Sequence, residues 1–193
     1  ILEPGMYILG ISAYYHDSSA ALIKDGRVVA AVEEERLSRI KHDNGFPTKA
    51  IEYCLAQESV SINDVDYVVF YEKPFLKFER ILMTSFGTFP SSYRFFREAM
   101  LNMLKEKLWV KEIIQRKLKY QKEVLFVEHH LSHAASTFFC SPFQEAAILT
   151  VDGVGEWTTT TLGIGKDVEI KLLKEIRFPH SLGLLYSTFT AFL

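Results

Sequence analysis

The chain has 193 residues, of which 48% are hydrophobic by an inclusive count and 24% are charged. A chain of this length can bury a sizeable core, and its 13% of aromatic residues excludes global disorder. Its 22 basic and 24 acidic side chains leave a net charge of −2, which excludes attraction to nucleic acid by overall charge.

Hydropathy and cysteine content bear on the compartment. No apolar run reaches the roughly 18 residues of a membrane span, and no secretory signal opens the chain. The two cysteines, Cys54 and Cys140, do not make a disulfide scaffold and are interpreted as core thiols. We therefore predict a cytoplasmic protein with neither a membrane nor a nucleic-acid partner.

The first third of the chain has the pattern of a β-ribbon that feeds a sheet. Residues 7–12 predict one strand, and the apolar runs 20–24 and 27–32, joined by an Asp-Gly turn, predict an antiparallel pair. A helix over 47–57 and a strand over 65–70 follow. This β-β-β-α-β order is typical of the ribonuclease H-like, actin-type ATPase architecture, and we predict an α/β fold of that class with a mixed sheet.

Residues 75–122 predict a helical insertion, because apolar and aromatic side chains recur there at helical spacing. Its last part, 105–122, holds seven Lys/Arg and two Glu, which we interpret as the solvated face of a helix rather than an anion-binding surface.

The last third of the chain begins the β-β-β-α-β order of predicted elements again. Its predicted elements are a strand over 123–127, a helix over 129–139, strands over 146–151, 158–165 and 169–177, and an apolar helix over 181–193. Two copies of one fold half are a hypothesis that rests on this pattern alone. Because the sequence ends inside a predicted helix, we expect a fragment. Residues 1–5, ahead of Met6, are interpreted as a cloning remnant or a start-site artefact.

Three histidines in five residues form the clearest candidate metal site. His129 and His133 are four apart, so on a helix both imidazoles reach one ion. Asp152, directly after the strand 146–151, is the candidate third ligand, because ligands of open α/β sheets bind at the carboxyl ends of strands. The alternative is that these histidines are ordinary polar residues of a helix start.

Two loops have residues suited to a phosphate group. Ser18 and Ser19 follow the first strand, and Gly153 and Gly155 follow Asp152, where small residues leave backbone N–H groups accessible to phosphate oxygens. The alternatives are a capped turn in the first case and a hairpin turn in the second.

Two further polar groups could act on a ligand. His16, next to the first strand, is a candidate general base, because histidine is the residue type that most often exchanges a proton near neutral pH. Lys41 lies in a basic segment with Arg36, Arg39 and His42 that could hold an anion, although charge pairing on the surface is an equally good interpretation.

A series of short motifs runs along the chain: Leu9-Gly-Ile-Ser12, His16-Asp-Ser-Ser-Ala-Ala21, Glu33-Glu-Glu-Arg36, Arg39-Ile-Lys-His42, Gly45-Phe-Pro47, His129-His-Leu-Ser-His-Ala-Ala-Ser136 and Val151-Asp-Gly-Val-Gly-Glu156. In this order they resemble the carbamoyltransferases of the nodulation-factor and antibiotic-tailoring type. The resemblance covers 6–193 and is weakest across 75–122.

The resemblance implies the amino-terminal portion of an actin-type ATPase domain, also found in the enzymes of tRNA threonylcarbamoyladenosine synthesis. Full-length members continue with the rest of that domain and a YrdC-like domain, which makes carbamoyl-adenylate from carbamoyl phosphate and ATP. The carbamoyl group then passes to a hydroxyl of a small-molecule acceptor, with Fe²⁺ or a similar divalent ion near the adenylate phosphate.

Matched to the family motifs, His129, His133 and Asp152 are metal ligands, and a further Asp ligand lies beyond Leu193. By the same resemblance Lys41 contacts carbamoyl-adenylate and His16 is the catalytic histidine. His130 has no role that we assign. Tyr14 and Tyr15 replace polar residues associated with aminoglycoside acceptors, so the acceptor is left open.

Other functions compete with carbamoyl transfer. A sugar-kinase-like ATPase needs a carboxylate base and an adenosine loop that are not visible here, and it does not need the histidine pair. A ribonuclease H-like nuclease needs carboxylates on the first strand, and 9–12 has none. A non-catalytic fragment that binds nucleotide or a protein partner is the third alternative. Because a half-domain exposes its cleft, we expect contact with a second copy or with the missing carboxyl-terminal part.

Overall fold

A computed structural model describes residues 5–105 and 107–193, and for residues 102, 104, 105 and 107 it describes the backbone only. Residues 1–4 of the segment before Met6, and Glu106 of the basic segment, lie outside the described residues. The chain divides into two compact units, one formed by 1–71 and 101–126 and the other by 72–100 and 127–193.

The first unit contains a five-stranded sheet. Its strands are β1 (Tyr7–Ser12), β2 (Ser19–Lys24), β3 (Arg27–Glu33), β4 (Tyr67–Phe70) and β5 (Val124–Phe126), in the order β3-β2-β1-β4-β5. The first three are antiparallel, and β4 and β5 run parallel to β1. This ribbon joined to a parallel sheet confirms the predicted fold class.

Helices cover this sheet because their apolar faces match the alternation of the strands. Helix α1 (Glu34–Ser38) is short, and α2 (Thr48–Gln57) packs on β2 and β3. Buried Ile51 and Cys54 on α2 meet a core that includes Leu9, Leu22 and Phe70. Each of these five side chains is at most 2% exposed, so together they form part of the closed core of this unit.

The predicted 75–122 region is helical, as expected. It contains α3 (Pro74–Gly87), α4 (Tyr93–Lys105) and α5 (Val110–Leu118). Lys117 on α5 lies 5.0 Å from the centre of the Phe46 ring, and Lys122 donates to the Val65 carbonyl at 3.0 Å. These contacts support a structural role for the described basic side chains, while the status of 75–122 as an insertion stays a prediction.

The second unit contains a three-stranded antiparallel sheet, β6 (Glu145–Val151), β7 (Thr158–Lys166) and β8 (Glu169–Arg177), in chain order. Helix α6 (His129–Phe138) packs on it through Ala134 and Phe138, which meet Ile148, and α7 (Leu182–Phe192) follows β8. The antiparallel ribbon followed by a helix repeats the start of the first unit, as the sequence pattern predicts.

The two cysteines differ from each other. Cys54 is fully buried, as predicted, and burial raises the pKa of its thiol. Cys140 is exposed, so its assignment to the core is wrong. It lies in the turn between α6 and β6, and connecting turns run over the surface whatever their residues. Among the described residues, the structure contains no helix that is both long and apolar enough to cross a membrane.

Candidate functional site

The start of α6 and the end of β6 bring three predicted ligands together in the second unit. His129 Nε2 lies 2.6 Å from Asp152 Oδ2 and 3.1 Å from His133 Nε2, and the two more distant partners, His133 Nε2 and Asp152 Oδ2, are 3.9 Å apart. The i, i+4 spacing places both imidazoles on one helix face, and the end of β6 supplies the carboxylate. We call these three residues the His-His-Asp cluster.

The spacing of the His-His-Asp cluster fits a divalent ion. Two nitrogen ligands at about 2.0–2.1 Å from a tetrahedral ion stand roughly 3.3 Å apart. The three separations, 2.6, 3.1 and 3.9 Å, lie on both sides of that value. Two imidazoles and one carboxylate are the donor set of mononuclear non-haem iron sites and of many zinc sites.

The electrostatics of the cluster favour an ionised carboxylate. The hydrogen bond with His129 at 2.6 Å, and then the nearby imidazole of His133 at 3.9 Å, hold the pKa of Asp152 well below its usual range. Its Oδ1 also accepts the N–H of Gly153 at 2.6 Å, which fixes the orientation of the carboxylate. Asp152 is therefore charged at neutral pH and ready to accept a cation. His129 is largely buried, while the side chain of His133 is 52% exposed, so an ion could enter from the His133 side.

His130 locks α6 to the sheet. It is 3% exposed; its Nδ1 is 2.6 Å from Thr150 Oγ1, and its Nε2 is 2.9 Å from the Thr158 carbonyl. Nε2–H donates to that carbonyl, and the Thr150 hydroxyl donates to Nδ1 while accepting from Thr161 Oγ1 at 2.6 Å. Burial, and then the neighbouring His129, lower the pKa of His130, in keeping with a neutral ring. Both ring nitrogens are used, so His130 is a structural residue of the motif.

Two glycines allow the backbone to close around the cluster. A Cβ on Gly155 would lie 2.8 Å from the Thr158 carbonyl oxygen and 3.1 Å from His129 Cδ2. A Cβ on Gly183, near the start of α7, would lie 2.3 Å from the Asp152 carbonyl oxygen. Ser181 caps α7 and donates to the Gly153 carbonyl at 2.7 Å. The start of α7 therefore clamps the turn that carries the carboxylate.

A buried carboxylate holds the first residue of α6. Glu156 is 6% exposed, and its Oε1 accepts the N–H of Lys73, the residue before α3, at 2.5 Å. It also accepts the backbone N–H of His129, while burial raises its pKa. The carboxylate thus lies at the N-terminal ends of two helices, where their dipoles favour negative charge. Through His129, Glu156 fixes where the His-His-Asp cluster begins.

The other predicted site residues lie in the first unit. His16 is exposed, and its ring meets that of Tyr15 edge-on with centroids 4.0 Å apart. Lys41 is also exposed. Their sequence neighbours join the two loops, since His42 Nδ1 lies 2.9 Å from Asp17 Oδ1. The structure thus places His16 and Lys41 on two adjoining loops of this unit.

The predicted phosphate contacts of the first loop are only partly available. Ser18 is fully buried; its N–H donates to the Asp43 carbonyl at 2.8 Å and its hydroxyl to the Gly45 carbonyl at 2.6 Å. The prediction of free donors at Ser18 is therefore wrong, because the segment after α1 packs back on this loop. Ser19 belongs to β2 and pairs with Ser12. At the second loop, Gly155 has a packing role, and its phosphate contact stays a prediction.

Some residues that shape the cluster were not found from the sequence. Gly183 gives one local signal, since glycine inside a helix costs about 1 kcal/mol and so indicates close packing. Glu156 and His130 stand inside the quoted motifs, but neither spacing nor residue type reveals a cap or a lock.

Comparison with known proteins assigns the family. The family model described as "Carbamoyltransferase N-terminus" matches residues 7–193. The chain belongs to the carbamoyltransferase family. One relative, the uncharacterized protein sll1178 of Synechocystis, is 55% identical over 192 residues, which cover 95% of this chain and 31% of that protein. The nodulation protein NolNO of Sinorhizobium fredii is 36% identical over 181 residues, 91% of this chain and 25% of that protein.

This carbamoyltransferase chain therefore spans about a third or less of the length of these curated relatives. Solved structures similar to it include YeaZ from Pseudomonas aeruginosa, with 16% identity, a TM-score of 0.45 and coverage of 90% of this chain and 67% of YeaZ. A Ppx/GppA family member of Aquifex aeolicus has 17% identity and a TM-score of 0.41 over 97% of this chain and 55% of that one. Likeness at this level carries no functional argument.

Proposed function

We propose that this chain takes part in the transfer of a carbamoyl group from carbamoyl-adenylate to a hydroxyl of a small-molecule acceptor. The carbamoyl-adenylate would come from carbamoyl phosphate and ATP. The observation that carries the proposal is the His-His-Asp cluster, formed at 2.6–3.9 Å by residues of two motifs in a chain of this family. A sugar kinase of similar class needs no such cluster.

The His-His-Asp cluster would hold a divalent ion, Fe²⁺ or a similar metal. When bound, the ion supplies positive charge that stabilises a phosphate group as it leaves. Asp152 contributes a full negative charge, since its pKa is held low, and His129 is fixed by Glu156 at the start of α6. To bind the ion, both imidazoles present an unprotonated Nε2, so metal uptake releases protons and weakens as the pH falls.

The first unit would supply the proton transfer and the phosphate contact. The acceptor oxygen forms a bond to the carbamoyl carbon, the bond from that carbon to the phosphate oxygen breaks, and AMP leaves with the electron pair. The hydroxyl proton passes to His16, whose exposed imidazole suits a general base. Lys41 would place a positive charge on the adenylate phosphate. Ser19 and Gly153 stay candidate contacts, whereas Ser18 has no free donor.

Metal binding by the purified chain tests whether the His-His-Asp cluster holds a divalent ion. Co²⁺ added to the metal-free chain should give visible d–d absorption and bind one ion per chain. The double variant His129→Ala and His133→Ala should bind at least tenfold more weakly, because losing two of three ligands leaves no chelate. His180→Ala, an exposed histidine of the same unit, is the matched control. Unchanged binding in the double variant would refute the metal site.

Nucleotide binding tests the second part of the proposal, the contact between Lys41 and the adenylate phosphate. Calorimetric titration with ATP should show about tenfold weaker binding for Lys41→Ala, the effect of losing one charged phosphate contact. Equal affinity in the variant would remove Lys41 from the site. A chain that binds ATP but no metal would favour the non-catalytic nucleotide-binding alternative.

A further inference from the structure

Hydrogen bonds join two loops of the first unit, residues 13–18 after β1 and residues 39–45 after α1. Tyr14 N–H donates to the Asn44 carbonyl at 2.9 Å, and Ser18 donates to the carbonyls of Asp43 and Gly45. Next to these bonds, Asp17 Oδ1 and His42 Nδ1 are 2.9 Å apart. Bonds to backbone carbonyls and one side-chain pair therefore join the two loops.

The backbone at and near the Asp17–His42 pair is unusual. Asp17 has φ +35° and His42 has φ +55°, and Arg39, where α1 ends, has φ +63°. Non-glycine residues adopt this left-handed region at a cost, which Asp, Asn and His bear best. His42 is further held by its N–H, which donates to Glu35 Oε2 at 3.0 Å. Asp17 and His42 are therefore residue types that this conformation tolerates, whereas Arg39 and Tyr14, at φ +70°, are not.

We propose that Asp17 and His42 form a latch that positions Lys41 for its phosphate contact. This inference rests on the proposed function of Lys41. Lys41 directly precedes His42, so the latch and the Glu35 bond fix the backbone from which the Lys41 side chain extends. Asp17 likewise follows His16, the proposed base, which ties both proposed residues to one structural element. Asp17 and His42 touch no substrate and act through Lys41.

The exposure of the latch separates this role from general stabilisation. The side chains of His42 and Asp17 are 68% and 42% exposed. Exposed ion pairs contribute little to the free energy of unfolding, because water solvates both partners and salt screens them. A structural pair here would be almost silent in thermal unfolding and in ligand binding. A positioning pair is silent in unfolding but weakens ATP binding when it is broken.

The test combines latch variants with Lys41→Ala in ATP titrations of the 193-residue chain. Asp17→Ala should weaken ATP binding three- to tenfold with little change in the melting temperature. Because the latch acts through Lys41, the double variant Asp17→Ala and Lys41→Ala should bind within about twofold of Lys41→Ala alone. Independent effects that multiply would overturn the latch as a device that positions Lys41.

Three further variants test the alternative that strain of the left-handed backbone, rather than loss of the Asp17–His42 pair, weakens ATP binding. Asp17→Asn keeps an acceptor and suits a positive φ, so it should bind ATP nearly as the parent does. The exchange Asp17→His with His42→Asp should restore most of the affinity lost in Asp17→Ala. Asp167→Ala, at φ +53° in a turn of the second unit, is the matched control for the backbone. Loss in Asp17→Asn equal to that in Asp17→Ala would contradict the proposal.

The outcomes also separate the latch from the proposed function. If Lys41→Ala weakens ATP binding and Asp17→Ala does not, the latch is refuted and the role of Lys41 stands. If Lys41→Ala has no effect, the proposed nucleotide contact fails. Hydrogen exchange of 39–45 then decides whether the pair orders the loop at all. Faster exchange in Asp17→Ala that returns to normal in the exchanged pair would keep the latch, and unchanged exchange would refute it too.

Discussion

The substitution His130→Phe tests whether the middle histidine of the motif is a lock. Phenylalanine supplies a somewhat larger, apolar ring, and the bond of 2.9 Å to the Thr158 carbonyl and the bond of 2.6 Å to the Thr150 hydroxyl are lost. Each buried polar group left without a partner costs about 1–3 kcal/mol. Thr150 keeps its bond to Thr161, so the carbonyl carries most of the loss. We expect a destabilisation of roughly 2–4 kcal/mol, a large part of a typical domain's stability.

Urea unfolding at pH 7.5 with a chelator measures this effect without a contribution from bound metal. His130→Gln is the informative partner variant, because its amide can donate near the position of the lost Nε2–H. It should recover about 1 kcal/mol relative to His130→Phe. His180→Ala, exposed and outside the cluster, should unfold as the parent does.

Two results would refute the lock. His130→Phe could unfold within about 0.5 kcal/mol of the parent, which would show that the two bonds contribute nothing net. Alternatively, it could abolish Co²⁺ binding with stability intact, which would make His130 a ligand rather than a structural residue.

Three further predictions follow from burial and backbone contacts. In the native chain, the exposed thiol of Cys140 should react with Ellman's reagent. Cys54 is buried and its pKa is raised, so its thiol should react only after unfolding. Two fast-reacting thiols would contradict this prediction. Gly183→Ala should destabilise the chain by about 1–3 kcal/mol in urea, because its Cβ meets backbone, while Gly153→Ala, whose Cβ would stand 3.9 Å from its nearest contact, should cost far less. In a proton NMR titration, His42 should titrate above 6.5, because its carboxylate partner favours the charged ring. Its contribution to stability is thus present below pH 6.5 and is lost as the pH rises through the raised pKa. Removing Asp17 should lower the pKa towards its ordinary value, although Glu35 still raises it.

Local patterns predicted the elements that carry the candidate site. The spacing of His129 and His133 requires only a helix, and α6 begins at His129. Asp152 requires only a strand that ends before it, and β6 ends at Val151. Periodicity fixes such placements, because helix and strand geometry repeat over a few residues. The roles of Ser18 and Cys140 could not be predicted in this way, since burial depends on whether a distant segment packs on them.

The sequence by itself determined the composition class, the order of strands and helices, and the ordered motifs by which the family is recognised. It also determined which three side chains could share an ion. The tertiary structure alone decided that His130 is a lock, that Glu156 joins two helix starts and that Gly183 closes on the turn of Asp152. These roles depend on contacts between residues 20 to 83 positions apart, from His130 with Thr150 to Lys73 with Glu156. No local period encodes contacts of that range, because they exist only after the chain has folded.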